Sequence, residues 1–304
     1  GDGEWSIVEG DEYSTATWDK QAKFFHYKPT HLLLTAIKWD HADLYVTEKD
    51  YFDTFRKLIK MIPKDGLIVA CIDTKTLPTL LKEAKQKFVS YGKDKIASYR
   101  YEKVVQTPEG ITFDIIHCGE TFKIESPLLG AYNVENVTGC FAMAHETGVK
   151  TDQIIAGIKS FKGMKRRMEK RFEQDGITVI DDIAHSPEKA KSVLENLRSI
   201  YTGLIVAVYE PNIGNRTPQS KPEYKDAFIN ADTVVIPKLS KLKIDAAKPE
   251  KPFDGEELAE TIRASHKDVH YIDDDTALVA FITLARNSGD VIAFLGSHGF
   301  RGMI

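Results

Sequence analysis

A chain of 304 residues, 42% hydrophobic and 28% charged, is too ordinary in composition for a disordered or fibrous protein and long enough for two domains. Its 41 basic and 45 acidic side chains are interspersed for a net charge of -4, so no basic stripe announces nucleic acid as a partner. Three cysteines without Cys-x-x-Cys spacing exclude a disulfide framework or structural zinc, and with no membrane-length apolar run or signal-peptide pattern a soluble cytoplasmic protein without membrane insertion is expected.

Short apolar runs alternate with amphipathic stretches from the start of the chain. Trp5 to Val8, Leu32 to Ile37 and Leu67 to Ile72 read as buried strands of a parallel sheet. Between the second and third lies a helix capped by Thr47, with Phe52, Phe55, Leu58, Ile59 and Ile62 on one face and Pro63 closing it. A helix from Leu77 to Gln86 and a strand from Phe88 to Tyr91 extend the pattern. From Ile96 to Ile124 the period shifts to alternation, with turn chemistry at Pro108-Glu109-Gly110, which predicts antiparallel hairpins appended to the parallel sheet. Helices follow over Asn133 to Glu146 and Thr151 to Phe161.

The alternation restarts with a strand over Gly176 to Ile180, a helix from Pro187 to Tyr201, a strand from Leu204 to Tyr209, a helix near Tyr224 and a strand from Thr233 to Pro237. This predicts a second, Rossmann-like α/β domain. With the junction near Met168 to Arg171, the domains are expected to span 1–169 and 170–304.

In open α/β sheets ligands bind beyond the carboxyl ends of the strands, which directs attention to polar residues after apolar runs. Glu9 follows the first run and His41 the second. A carboxylate and an imidazole there suit a divalent ion, although Asp40, His41 and Asp43 equally suit loop and helix capping. Asp181, Asp182 and His185 follow the strand that opens the second domain, and the two aspartates equally suit capping of the helix at Pro187. Arg166 and Arg167 are placed either to neutralise transferring phosphate or to form a solvated basic face. Asn133 and Asn136, three apart near a helix start, suit a nucleotide contact or a cap. No Gly-x-x-x-x-Gly-Lys-[Ser/Thr] loop, Gly-x-Ser-x-Gly elbow or His-Glu-x-x-His helix occurs.

Taken in order, Val8-Glu9-Gly10-Asp11-Glu12-Tyr13 with Asp19-Lys20, Lys23-Phe24 and His26-Tyr27, then Asp40-His41-Ala42-Asp43, Asn133-Val134-x-Asn136, Arg166-Arg167-Met168-Glu169, Asp181-Asp182-Ile183-Ala184-His185-Ser186-Pro187 and Gly299-Phe300-x-Gly302, these segments resemble the Mur ligase superfamily. The stretch from Val8 to Tyr27 looks most like its branch that recycles murein tripeptide. Tyr132 and Ser186 depart from the histidines usual at those positions. The resemblance implies an ATP-dependent carboxylate–amine ligase of peptidoglycan recycling, acting through an acyl phosphate on UDP-N-acetylmuramate and L-alanyl-γ-D-glutamyl-meso-diaminopimelate. It further implies that Glu9 and His41 hold Mg2+, that Asn133 and Asn136 contact ATP, and that Arg167 meets phosphate. Asp182 and His185 would complete the carboxy-terminal side of the nucleotide site, and Arg216 would recognise the amino peptide. Family members carry a UDP-binding domain and a phosphate-binding loop ahead of the segment where this chain begins, so the chain by itself is expected to be inactive. A ligase adding L-alanine to UDP-N-acetylmuramate and a non-catalytic peptide- or nucleotide-binding module are the alternatives.

Overall fold

The computed structural model describes residues 3–37, 39, 44–74, 76–82, 84, 86–240, 252–284 and 286–304. They form two compact units, one of residues 1–104, 112–125 and 132–159, the other of 105–111, 126–131 and 160–304.

In the first sheet, β1 (His31–Leu34), β2 (Leu67–Cys71), β3 (Lys87–Gly92), β4 (Tyr99–Thr107), β5 (Gly110–His117) and β6 (Glu120–Ser126) lie in sequence order. The first four pair in parallel. Two-residue connections join β4 to β5 and β5 to β6, which only antiparallel neighbours permit. Every residue of β2 is buried, as a central parallel strand requires. Helix α1 (Glu48–Met61) starts where the Thr47 hydroxyl accepts from Asp50 N and stops before Pro63. Its buried face is Tyr51, Leu58 and Ile59, with Phe55 packed on a small cluster of Ala22, Phe24 and Leu58. Helices α2 (Thr76–Leu81), α3 (Tyr132–Glu146) and α4 (Thr151–Ser160) complete the set, α2 being shorter than its sequence pattern predicts.

The strand expected at Trp5 to Val8 does not form. These residues are irregular, with Ile7 95% exposed. Apolarity alone does not make a strand; a ladder partner is needed, and among the described residues β1 pairs only with β2.

The second sheet has the order β11-β10-β9-β12-β8-β7, from β7 (Glu169–Gln174), β8 (Ile177–Asp182), β9 (Ile205–Glu210), β10 (Thr233–Pro237), β11 (Val269–Ile272) and β12 (Val291–Gly296). All pairings are parallel except that of β7 with β8. Side chains sort by the period of two. Ile205, Ala207 and Tyr209 join one cluster with α5 (Pro187–Ile200) and α6 (Gly255–Arg263), whereas Val206 and Val208 join another with α7 (Asp275–Thr283). Helices therefore cover both faces of this sheet. The helix expected near Tyr224 is a 3-10 helix, Pro218–Tyr224.

Asp181 and Asp182 are not helix caps. They end β8, and it is Ser186 whose hydroxyl accepts from Lys189 N, with Pro187 in the first turn of α5.

Candidate functional site

Strand β12 inserts between the earlier β8 and β9, so the strand order reverses there. Such a switch point is where open α/β sheets bind ligands, beyond the carboxyl ends of the strands. Leu295 lies opposite both Asp182 and Tyr209, and Gly296 opposite Glu210. The approach is close: a Cβ on Gly296 would sit 2.7 Å from the Glu210 carbonyl oxygen. Three chain segments leave this edge together, carrying Asp182 to His185, Glu210 to Arg216, and Gly296 to His298.

Asp182 is buried, and both carboxylate oxygens accept backbone amides, Oδ2 from Met168 N at 2.7 Å and Oδ1 from Ala184 N at 2.8 Å. Burial nevertheless raises its pKa, outweighing those two bonds and the charge of Arg167. The carboxylate holds two loops at fixed distance. His185 Nδ1 lies 2.8 Å from the Ile183 carbonyl, which obliges that nitrogen to carry the hydrogen and leaves Nε2 as an acceptor. Burial pushes the imidazole pKa down, so the ring is neutral at pH 7. Its carbonyl receives Asn212 N and Asn215 Nδ2, each at 3.2 Å, tying the loop after β8 to the loop after β9.

A depressed histidine leaves a pH signature. Below pH 6.5 the unfolded chain takes up a proton before the folded one, so the His185 contribution to stability is present above that pH and is lost as pH falls through the folded value. We expect NMR titration of the His185 ring to give a midpoint below 6.5; a midpoint at or above 6.5 would contradict the buried environment.

The two adjacent arginines have separate fates. The Arg166 guanidinium donates to the carbonyls of Ser297 (2.9 Å), Gly296 and His298 (2.8 Å), with Asp181 Oδ1 at 3.4 Å. Arg167 is exposed and makes no hydrogen bond or ion pair among the described residues, yet its charge reaches Asp182 and His185.

Arg216, 7% exposed, donates from Nε (3.0 Å) and Nη2 (2.8 Å) to the Phe253 carbonyl and from Nη1 to Ser240 O at 3.4 Å, while its own carbonyl receives Phe253 N. Beside it Glu210 is 1% exposed; Oε1 accepts from Ser240 N at 2.8 Å and Oε2 has no hydrogen-bond partner among the described residues, Arg301 Nη1 standing 4.0 Å away. Among the described residues the charges of Arg216 and Arg301 reach this buried carboxylate, a demanding arrangement.

In the first unit, Asn136 Nδ2 donates to Asn133 Oδ1 at 3.2 Å in the opening turn of α3, so the two amides share a helix face. Glu9 is exposed on an irregular segment. His41 lies outside the described residues. Among these residues one group has metal-ligand proximity, Cys71, Asp73 and Glu135, and it does not include Glu9. Burial lifts the Cys71 thiol to about 12, and a soft sulfur is a poor ligand for a hard cation. Asp73 already accepts Lys93 N, Asp94 N and the Tyr101 hydroxyl.

Residues 3–144 match the family model of the Mur ligase middle domain, and residues 166–298 that of the Mur ligase, glutamate ligase domain. The chain belongs to the Mur ligase family. It is 31% identical to a UDP-N-acetylmuramate–L-alanine ligase from Anaeromyxobacter sp. (strain Fw109-5), over 98% of this chain and 63% of that protein. Among solved structures, the UDP-N-acetylmuramate-alanine ligase of Thermotoga maritima has a TM-score of 0.70 at 19% identity, covering 92% of this chain and 59% of that one. A murein peptide ligase from Psychrobacter arcticus has a TM-score of 0.59 at 22% identity, covering 97% and 60%. At such identities these two bear on the fold alone. The chain spans less than two thirds of the length of these relatives.

Within the Mur ligase glutamate ligase domain, Asp182 and His185 lie at one sheet edge, at and after the end of β8, with Arg167 beside them on the segment that precedes β7 and Arg216 on the loop from neighbouring β9. Two further residues stand at that edge: Arg166, which shares with Arg167 the reading as phosphate ligand or solvated basic face, and Glu210, which has no role assigned from sequence. Arg166 is indistinguishable from Arg167 in an Arg-Arg pair, and Glu210 carries only the weak signal of a carboxylate closing an apolar run. No helix among the described residues is long and apolar enough to cross a membrane.

Proposed function

We propose that this Mur ligase chain is part of an ATP-dependent enzyme that joins the carboxylate of UDP-N-acetylmuramate to the amine of L-alanine through an acyl phosphate. The observation that carries the reaction class is Arg167: a planar cation, free of protein partners among the described residues, at the switch point of an α/β sheet. Such a group suits phosphoryl oxygens, whose charge it can meet with paired N–H donors. The acceptor rests on sequence relatives whose names specify L-alanine. The murein tripeptide expected from residues 8–27 gains no support from those names and becomes the comparison arm of the test.

In this reading Arg167 neutralises the transferring phosphate, while Asp182 holds the Arg167 loop and neutral His185 offers Nε2 to the nucleotide. Asn133 and Asn136 contact the nucleotide from the middle domain. Glu9 and His41 remain the proposed Mg2+ ligands. Among the described residues Glu9 belongs to no group of three or more ligating side chains close enough to share an ion. Arg216, already tied to Phe253 and Ser240, shapes the acceptor loop and supplies its positive charge there.

The test is amide product by mass spectrometry from UDP-N-acetylmuramate, ATP and Mg2+, with either L-alanine or the tripeptide, running this chain beside its full-length gene product. We expect the full-length gene product to favour L-alanine by more than about 10-fold, a difference of about 1.4 kcal/mol in transition-state binding. Equal or reversed rates would overturn the acceptor, and no product with either would overturn the ligase reading in favour of a binding module.

A further inference from the structure

The segment that presents Arg167 is held on both sides by hydrogen bonds to the protein. Arg166 and Met168 have φ of 59° and 46°, the left-handed region that residues with side chains seldom occupy. Two successive reversals flank Arg167 and divide three neighbouring side chains among three destinations. Met168 is buried in the core cluster that includes Ile180 and Leu194, Arg166 turns onto the end of β12, and Arg167 stands exposed. Such backbone persists only where its surroundings hold it.

The surroundings are specific. Every polar part of Arg166 is tied: its amide donates to Glu169 Oε2 at 2.8 Å, its carbonyl receives Ile183 N at 3.0 Å, and its guanidinium caps three successive carbonyls at Gly296, Ser297 and His298. The amide on the other side, Met168 N, is held by Asp182. Those three carbonyls leave the strand that inserts between β8 and β9, so Arg166 sets the Arg167 backbone against the switch point itself. A guanidinium is the side chain for this task, since its planar fork can serve several carbonyls at once and cannot lose its charge.

We infer that Arg166 is a positioning residue: it acts on the reaction only through Arg167, by fixing where that guanidinium meets phosphate. The inference rests on the ligase reading above. It assigns distinct jobs to two identical neighbours, one anchored to the fold and one free for the ligand.

The test is a double-mutant cycle in the full-length gene product, with kcat and KM for ATP measured separately and thermal unfolding recorded for each variant. Arg167→Gln should lower kcat/KM by about 100-fold, the scale of losing one aimed charge donor. Arg166→Gln should lower it by about 10- to 100-fold, and Arg166→Lys, which keeps the charge but not the fork, should recover part of that loss. In the Arg167→Gln background, Arg166→Gln should cost less than about threefold more, because nothing is left to position. A structural role alone would take the same further toll in that background, and equal tolls overturn the inference, as would an Arg166→Gln enzyme within about twofold of wild type. If Arg166→Gln fails to fold, the cycle is run with Arg166→Lys and the same non-additivity is required. A wild-type protein that makes no amide overturns the ligase reading and this assignment together; an active wild type with additive losses overturns the assignment alone.

Discussion

Replacing Arg216 by Ala is expected to destabilise the second unit by about 3–5 kcal/mol, the scale of removing one partner from a buried charge arrangement. Two penalties combine. The Phe253 and Ser240 carbonyls lose their donors, and the buried Glu210 carboxylate loses a neighbouring cation. Adding Glu210→Gln to the Arg216→Ala variant should return part of the loss, since a neutral amide no longer needs the cation. For a unit of this size the single variant should melt about 10 °C lower. The three tryptophans, Trp5, Trp18 and Trp39, all lie in the first unit, so their fluorescence does not report this transition. Far-UV circular dichroism or hydrogen exchange of β9 and β12 amides does. A melting temperature within about 2 °C of wild type would show that Arg216 is not the clamp described.

The second large effect is expected at Asp182. Asp182→Ala leaves the Met168 and Ala184 amides buried without acceptors, at about 1–3 kcal/mol each, offset in part by relief of a desolvated carboxylate. A net loss of about 2–4 kcal/mol follows, and Asp182→Asn, which keeps one acceptor, should lose about half as much. The pH dependence has a definite sign. Burial raises the Asp182 pKa, so the folded state holds its proton to higher pH than the unfolded state does. That contribution is fully present below the ordinary carboxylate pKa and is lost as pH rises through the folded value. The stability gap between wild type and Asp182→Ala should therefore widen as pH is lowered from about 7 toward about 4.5. A gap that closes on acidification would mean that the backbone bonds, and not burial, dominate this carboxylate.

Both predictions concern residues that the chain announces by pattern, but their chemistry is legible to different degrees. Asp182 and His185 can be placed at a strand end because an apolar run precedes them and a Ser-Pro helix start follows. The pattern stops the strand at Ile180, however, and so admits the aspartates as caps; pairing with β7 and β12 carries the strand on to Asp182. Strand β7 itself escapes the pattern. Its sequence, Glu169 to Gln174, has a single apolar residue, as an exposed edge strand allows, and only the Asp175-Gly176 pair betrays the hairpin. The reverse error occurs at Trp5 to Val8, where four residues suitable for a strand lack a ladder among the described residues.

What the sequence determined unaided was the alternation of apolar runs and amphipathic helices, hence two α/β units, and the ordered motifs of the Mur ligase family. Those signals are local: a period of two or of 3.6 states which face of an element is buried, and a cap or proline states where it ends. Only the tertiary structure decided that β12 enters between β8 and β9, and with it that Asp182, Glu210 and the Gly296 loop share one edge. Only the tertiary structure separated Arg166 from Arg167, because the carbonyls that claim Arg166 lie 130 to 132 residues further along the chain. No periodicity reaches that far. Strand order and the ownership of hydrogen bonds are settled by which distant surfaces pack together, and the burial of unpaired backbone oxygen is costly enough to fix that choice.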